Sequence, residues 1–146
     1  MPVRRYDGND GTYLEITLFQ NQFQLGTNDA LYSDGDRYTP AVTAVKSLKN
    51  FLPSMRTVLV LGAGLCSMVH VIRRKNYDPF FTLVEKDKVV LQWAMELLDS
   101  GLSAKILPVC ADAEVFMQTN ASKYDFVFLD IFKGRVVPDF VCKAEF

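Results

Sequence analysis

The stretch from Thr57 to Ser67, with the sequence TVLVLGAGLCS, constrains the fold more than any other part of this chain. Its first five residues are uncharged and rich in β-branched side chains and leucine, which is typical of a strand buried on both faces of a parallel sheet. Gly62 and Gly64 then permit a tight turn. The apolar spacing over residues 68–72 predicts a helix directly after the turn, with basic residues at its C-terminal end.

A strand, a glycine turn and a helix in this order suit the binding of a nucleotide. The turn lets the ligand approach, and the backbone N–H groups at the start of the helix face it. A tight turn without any ligand would use the same residues. The motif by itself therefore leaves both interpretations open.

Three further apolar runs follow the motif and alternate with helical patterns. The predicted strands cover residues 57–61, 80–84, 105–110 and 126–129, and the predicted helices after the first three cover 67–75, 89–98 and 113–119. A helix over residues 41–52, ended by Pro53, precedes the first of these strands. This alternation predicts an α/β fold with a Rossmann-like, doubly wound, mostly parallel sheet.

The residues before this helix have a different pattern. Residues 1–11 are polar and predict a loose lead-in, whereas 12–19, 23–25 and 30–33 have the character of short strands. They predict a small antiparallel β-hairpin region, which would pack on the main domain or on a second copy of the chain. The chain therefore divides into an N-terminal β-hairpin region, residues 1–38, and a Rossmann-like domain, residues 39–146.

The composition argues against several functions. A formal net charge of −1 without a basic block does not favour nucleic acid, and no apolar run is long enough to span a membrane. Cys66, Cys110 and Cys142 are widely spaced, so neither a zinc site nor a disulfide framework is indicated, and a reducing cytoplasm is expected. His70, the single histidine, is interpreted as a packed helix residue, and no metal site is predicted.

Acidic residues follow the ends of the other three predicted strands. Glu85 comes about 20 residues after Gly64, where such folds place a carboxylate that accepts hydrogen bonds from the two ribose hydroxyls. A solvated acid at a strand end is the alternative. Asp112 would cap the helix over 113–119, accept a hydrogen bond from an adenine amino group, or do both.

Asp130 closes the last of the predicted strands. In an open parallel sheet, ligands bind beyond the carboxyl ends of the strands. The residues that fall at this edge are Gly62, Gly64, Glu85, Asp112 and Asp130. Their coincidence at one edge favours a ligand site over a folding signal alone.

The runs VLVLGAG, TLVEKDKVV, ADAEVF and YDFVFLD resemble the nucleoside-binding core of the spermidine synthase family, within the class I S-adenosylmethionine-dependent methyltransferase fold. The N-terminal hairpins followed by a helix match the layout of that family, so the resemblance covers nearly the whole chain from about Thr12. The family's fold has more strands than the four predicted here, so the sheet is apparently incomplete at the C-terminus. An uncovered apolar edge predicts self-association, as a homo-oligomer such as a dimer.

The resemblance also implies roles for the site residues. The ligand-binding residues would be Gly62, Ala63 and Gly64 for the methionine-derived part, Glu85 for the ribose, and Asp112 with Ala113 for the adenine. Asp130 would be the general base that deprotonates an attacking amine, with Asp34 or Asp36 as a further acid of the acceptor pocket. The implied reaction transfers an aminopropyl group from decarboxylated S-adenosylmethionine to a small amine such as putrescine.

Several positions depart from the family pattern. Leu65 replaces the acid of the glycine loop, and Lys133 lies after Asp130 where a second acid is usual. Tyr38 is the aromatic residue nearest to the place of a missing Tyr-His-Glu element. A lysine in the acceptor pocket would repel a diamine. Two other functions therefore stay open: an S-adenosylmethionine-dependent methyltransferase acting on an unknown small molecule, and a non-catalytic relative that binds a nucleoside or a partner.

Overall fold

The computed structural model describes residues 1–7, 11, 13–27, 30–98, 101 and 104–131. The strands are β1 (Pro2–Asp7), β2 (Tyr13–Phe19), β3 (Gln22–Gly26), β4 (Leu31–Asp34), β5 (Thr57–Leu61), β6 (Phe80–Glu85), β7 (Ile106–Cys110) and β8 (Phe126–Leu129). The helices are α1 (Thr39–Ser47), α2 (Ser67–Arg74), α3 (Lys88–Leu97) and α4 (Ala113–Thr119). An antiparallel sheet, β1 to β4, precedes an α/β unit with a parallel sheet, so the predicted fold class is confirmed.

The strand that carries the glycine motif, β5, lies inside the parallel sheet. The strand order is β7-β6-β5-β8, and β5 pairs in parallel with both neighbours. Val58 and Val60 face a large core that includes residues of α1, α2 and α3. Leu59 and Leu61 face a smaller core that includes residues of α4. All four side chains are buried, which explains why this strand has no charged residue.

The first strand, β1, corrects the interpretation of residues 1–11 as a loose lead-in. It pairs antiparallel with β2 at the edge of the N-terminal sheet. Tyr6 meets Trp93 edge to face, with ring centroids 6.1 Å apart, and Arg4 forms a 2.6 Å ion pair with Glu96. The partners in these contacts belong to α3. A local pattern of polar residues does not show such support, since strand formation depends on neighbouring strands and packing.

The N-terminal sheet and the α/β unit share one hydrophobic core. Leu14, Ile16 and Leu25 from the N-terminal sheet belong to the same cluster of buried side chains as Val58 and Val69. The hairpin region therefore packs on the α/β unit. The division of the chain at residue 38 stays a prediction.

The helix before β5 is shorter than predicted. It ends at Ser47, and Leu52–Ser54 form a separate 3₁₀ turn. Phe51, which the apolar stripe placed on the buried face of one continuous helix, is 63% exposed. The prediction was wrong at this end because apolar spacing does not by itself fix where a helix stops. Within the described residues, no helix has both the length and the apolar character needed to cross a bilayer.

Candidate functional site

The glycine turn after β5 touches the ends of both neighbouring strands. The N–H groups of Gly62 and Ala63 donate to the Val84 carbonyl of β6, at 2.9 and 3.2 Å. Gly62 has a φ of +86°, and a Cβ at this position would collide with the carbonyl oxygen of Asp130. Asp130 donates its own N–H to the Leu61 carbonyl at 2.9 Å. The turn and the residue that follows β8 are thus in direct contact.

Glu85, the last residue of β6, reaches back to the same turn. One carboxyl oxygen accepts the Gly64 N–H at 3.2 Å, and the other accepts the Asp87 N–H at 3.1 Å. Burial raises the pKa of the Glu85 carboxyl, and these two N–H groups oppose the rise. Each carboxylate oxygen can accept two hydrogen bonds, so each retains one acceptor position. This remaining capacity fits a vicinal diol such as the hydroxyls of a ribose.

Two aspartates cap helices at this edge of the sheet. Asp87 caps α3 and Asp112 caps α4, each by accepting two backbone N–H bonds of 2.9 and 3.2 Å on one oxygen. Ala111 donates its N–H to the Glu85 carbonyl at 3.2 Å, which places Asp112 close to the end of β6. Ala113 is buried in the smaller core. The cap uses one oxygen of the exposed Asp112, so the capping role predicted from the sequence leaves room for a ligand contact.

Asp130 is partly buried, and its carboxyl has a neighbour that sequence reasoning did not identify. Burial raises the pKa of Asp130, and a hydrogen bond from the Tyr38 hydroxyl opposes the rise. Tyr38 is 6% exposed, and burial together with the Asp130 carboxylate holds the pKa of its phenol well above the usual range. Tyr38 is therefore a neutral donor to Asp130. The sequence identified it only as the aromatic residue nearest to a missing motif.

The other acids considered for an acceptor pocket already have cationic partners. Asp34 pairs with Arg37 at 3.1 Å, and Asp36 pairs with Arg74 at 2.8 Å. Although burial opposes the effect, hydrogen bonds and charge from Gln22 and Arg74 hold the pKa of Asp36 below its ordinary value. Asp34 and Asp36 are thus each paired with an arginine, whereas the neighbour of Asp130 is the neutral Tyr38 hydroxyl.

A pair of serines behind the glycine turn was also missed from the sequence. Ser33 lies in β4 and Ser67 begins α2, and their hydroxyl oxygens are 2.6 Å apart. The Ser33 hydroxyl oxygen accepts the N–H of Leu65, the residue after Gly64, at 3.2 Å. The two serines are 34 positions apart in the chain, and no local pattern indicates that they meet.

Some interpretations concern residues outside the described ranges, namely Thr12, Lys133 and Cys142. Of the other cysteines, Cys66 is buried and Cys110 is exposed, and both are free thiols. His70 is partly buried in α2, and burial lowers its pKa. Over the part of the chain that the structure describes, no three histidine, cysteine, aspartate or glutamate side chains are grouped as metal ligands.

The chain is similar to known transferases in sequence and in fold. It is 28% identical over 112 residues to a polyamine aminopropyltransferase from Vibrio vulnificus (strain CMCP6), a match that covers 75% of this chain and 38% of that relative. Its structure is similar to that of a probable spermidine synthase from Corynebacterium glutamicum ATCC 13032, with a TM-score of 0.74 and 17% identity, covering 94% of this chain and 55% of that one.

A further similarity is to an S-adenosylmethionine-dependent methyltransferase from Agrobacterium tumefaciens. The TM-score is 0.55 at 22% identity, and the match covers 80% of this chain and 39% of that one. No family model matches the chain. The chain thus spans 38% of the length of the curated relative and 55% of the Corynebacterium structure.

The strand order and these neighbours define the fold: the chain has the Rossmann-like fold of class I S-adenosylmethionine-dependent methyltransferases. The resemblance to spermidine synthases that the sequence motifs predicted is confirmed by these similarities in sequence and in fold.

Proposed function

We propose that this chain contributes the nucleoside site and the general base of an aminopropyltransferase that uses decarboxylated S-adenosylmethionine and a small amine acceptor. The observation that carries the proposal is the meeting of Gly64, Glu85 and Asp130 around one turn at the carboxyl edge of the sheet. The sequence similarity to a polyamine aminopropyltransferase supports this choice of reaction. Intact S-adenosylmethionine is the alternative co-substrate.

The nucleoside is held by residues at the carboxyl ends of β5, β6 and β7. Glu85 accepts hydrogen bonds from the two ribose hydroxyls on the acceptor positions that Gly64 and Asp87 leave open. The sequence-predicted residues for the other parts of the ligand are Gly62, Ala63 and Gly64 for the methionine-derived part, and Asp112 with Ala113 for the adenine. Glu85 must be ionised for this role, because a protonated acid has an O–H where an acceptor is needed.

Asp130 takes the proton of the attacking amine. The amine nitrogen forms a bond to the aminopropyl carbon beside the sulfonium while the carbon–sulfur bond breaks, and the bonding pair stays on sulfur. The products are the aminopropylated amine and methylthioadenosine, with the proton on Asp130. Burial raises the pKa of Asp130 and so strengthens it as a base, and the Tyr38 hydroxyl orients it.

A methyltransferase acting on a small molecule is the second candidate. The pairing of Asp34 with Arg37 and of Asp36 with Arg74 favours it, because these ion pairs remove two acids from a pocket for a cationic amine. Similarity to the Agrobacterium methyltransferase fold supports it as well. A non-catalytic relative that binds a nucleoside or a partner is the third candidate.

We also propose four properties that were predicted from the sequence. They are the division into residues 1–38 and 39–146, a homo-oligomer such as a dimer, a cytoplasmic location, and a site that needs no metal. Nucleic acid and membrane have no part in it.

Calorimetric titration of the chain with decarboxylated S-adenosylmethionine, S-adenosylmethionine and methylthioadenosine tests the proposal. Glu85→Gln keeps the shape of the side chain but replaces one acceptor oxygen by a donor. We expect it to lower affinity about tenfold or more, as for the loss of a hydrogen bond to a charged group. Glu15→Gln is the matched control, because Glu15 bonds to Arg5 and Tyr13 on the N-terminal sheet.

Each outcome selects one candidate. Tighter binding of the decarboxylated ligand, lost in Glu85→Gln and kept in Glu15→Gln, supports aminopropyl transfer and justifies a screen of amine acceptors. Tighter binding of the intact ligand selects methyl transfer. If the ligands bind but no turnover is detected, and Asp130→Asn leaves this binding unchanged, the non-catalytic relative is selected. Absence of binding for all three ligands contradicts the nucleoside site.

A further inference from the structure

The glycine turn is backed by a pair of hydroxyls that is almost completely removed from solvent. Ser33 is 0% exposed and Ser67 is 4% exposed, so both hydroxyls lie inside the protein. A buried hydroxyl is unfavourable unless it is hydrogen-bonded, so a buried pair is expected to have strong local partners. Here the two hydroxyl groups form a hydrogen bond with each other, and their oxygens are 2.6 Å apart.

Each serine also accepts a backbone N–H from a residue one or two positions away from the other serine. Ser33, in β4, accepts the Leu65 N–H of the glycine turn at 3.2 Å. Ser67, which begins α2 after the turn, accepts the Asp34 N–H of β4 at 3.1 Å. Three hydrogen bonds therefore connect the last strand of the N-terminal sheet to the turn and to the first residue of α2.

Consecutive N–H groups of the turn are held from two different elements. The Gly64 N–H is held by the Glu85 carboxyl and the next N–H, that of Leu65, by Ser33. The space behind Gly64 is closed by β4 as well, since a Cβ on Gly64 would lie 3.3 Å from the Tyr32 carbonyl oxygen. The two peptide units that flank Gly64 are thus held separately, the first by Glu85 and the second by Ser33.

We infer that Ser33, coupled to Ser67, is a positioning residue of the nucleoside site: it fixes the glycine turn so that the turn and Glu85 present a single geometry to the ligand. The N-terminal sheet is then a functional part of the site and not only a packing partner. The effect on ligand binding rests on the proposed function, whereas the effect on the turn does not.

Hydrogen exchange measured by NMR tests the effect on the turn directly. In Ser33→Ala, exchange of the Leu65 amide should rise about tenfold or more, because its buried acceptor is lost. The Phe81 amide, which donates to the Lys105 carbonyl inside the parallel sheet at 2.9 Å, should change less than about twofold. A merely structural role would change both amides alike. Ser47→Ala is the control, since Ser47 is exposed and its hydroxyl donates to the Thr43 carbonyl within α1.

Affinity for decarboxylated and intact S-adenosylmethionine, measured by calorimetry, tests the effect on the site. We expect a loss of about tenfold in Ser33→Ala, a loss in the same direction in Ser67→Ala, and less than about twofold in Ser47→Ala. The double variant should lose less than the product of the two single losses, because both serines act on one turn. Ser33→Cys, with a weak acceptor of similar size, should lie between wild type and Ser33→Ala.

The two measurements distinguish the possible failures. Unchanged Leu65 exchange in Ser33→Ala overturns the inference, and so does faster exchange with unchanged affinity. If the wild type binds none of the ligands while Leu65 exchange still rises, the proposed function fails and Ser33 is an anchor of the turn alone. If Ser33→Ala does not fold, Ser67→Ala and Ser33→Cys provide the same comparison.

Discussion

Alanine substitutions at glycines test whether the glycine turn is as tightly packed as its contacts indicate. Gly11 and Gly62 have similar backbone conformations, with φ values of +79° and +86°. An alanine at either position carries a left-handed backbone cost of about 1–2 kcal/mol. Among the described residues, a Cβ at Gly11 would meet nothing within 4 Å. Gly11→Ala therefore measures the backbone cost alone.

The steric cost differs strongly between positions in the turn. At Gly64 a Cβ would lie 3.3 Å from the Tyr32 carbonyl oxygen, which a small shift relieves at about 1 kcal/mol. At Gly62 it would overlap the Asp130 carbonyl oxygen, and relief requires Asp130 to move away from Leu61. That movement adds about 1–3 kcal/mol of overpacking and about 1 kcal/mol for the hydrogen bond between them.

The expected losses in the free energy of unfolding are about 1–2 kcal/mol for Gly11→Ala, about 2–3 kcal/mol for Gly64→Ala and about 3–6 kcal/mol for Gly62→Ala. Urea unfolding, followed by circular dichroism and by the fluorescence of Trp93, the single tryptophan, measures these losses. An equal loss in Gly11→Ala and Gly62→Ala would refute the contact between the turn and Asp130.

Three further predictions follow from the ionisable groups. Ligand affinity, measured by calorimetry, should fall as the pH drops through the pKa of Glu85, which burial holds above its ordinary 4.5. Glu85→Gln should show no such fall, and a wild-type affinity that does not change with pH would contradict the role of the carboxylate. Tyr38→Phe should raise the pKa of Asp130 in a carboxyl NMR titration, because the lost hydrogen bond favours the carboxylate, and Tyr13→Phe should leave it unchanged. Asp125→Asn should lower the melting temperature at neutral pH, and the difference from wild type should shrink in acid. Two backbone N–H groups lower the pKa of Asp125 in the folded state, so its carboxylate stabilises the fold above the unfolded-state pKa. This stabilisation is lost as the pH falls through the folded-state pKa.

The parallel sheet was predictable because its strands are marked by their own residues. β5 and β8 occupy the ranges predicted for them, and both are uncharged runs of β-branched, leucine and phenylalanine residues. Burial on two faces leaves such a run little freedom to contain charge. The carboxyl-edge rule then placed Glu85 near Gly64, and the structure joins these two residues by a hydrogen bond.

The rest depends on contacts between distant parts of the chain, which no local pattern contains. β1 is stabilised by contacts with Trp93 and Glu96 of α3, which are distant in the chain. Its own polar sequence therefore predicted only a loose lead-in. Tyr38, directly before α1, meets Asp130 at the end of β8, and Ser33 of β4 meets Ser67 of α2. Tertiary packing of this kind is the usual reason why sequence reasoning finds elements but misses their partners.

The contacts of the glycine turn also indicate which residue is the best test of a ligand-binding function. Gly62 is required by the closeness of the Asp130 carbonyl, and Gly64 by that of β4. Both glycines are thus explained by packing, and the Gly-x-Gly pattern would be needed in this fold even without a ligand. The acceptor capacity of Glu85 is not explained in this way, because one bond on each oxygen already satisfies its structural role. A substitution at Glu85 that preserves the fold therefore decides between a ligand site and a tight turn, whereas substitutions of the glycines decide only how the turn is built.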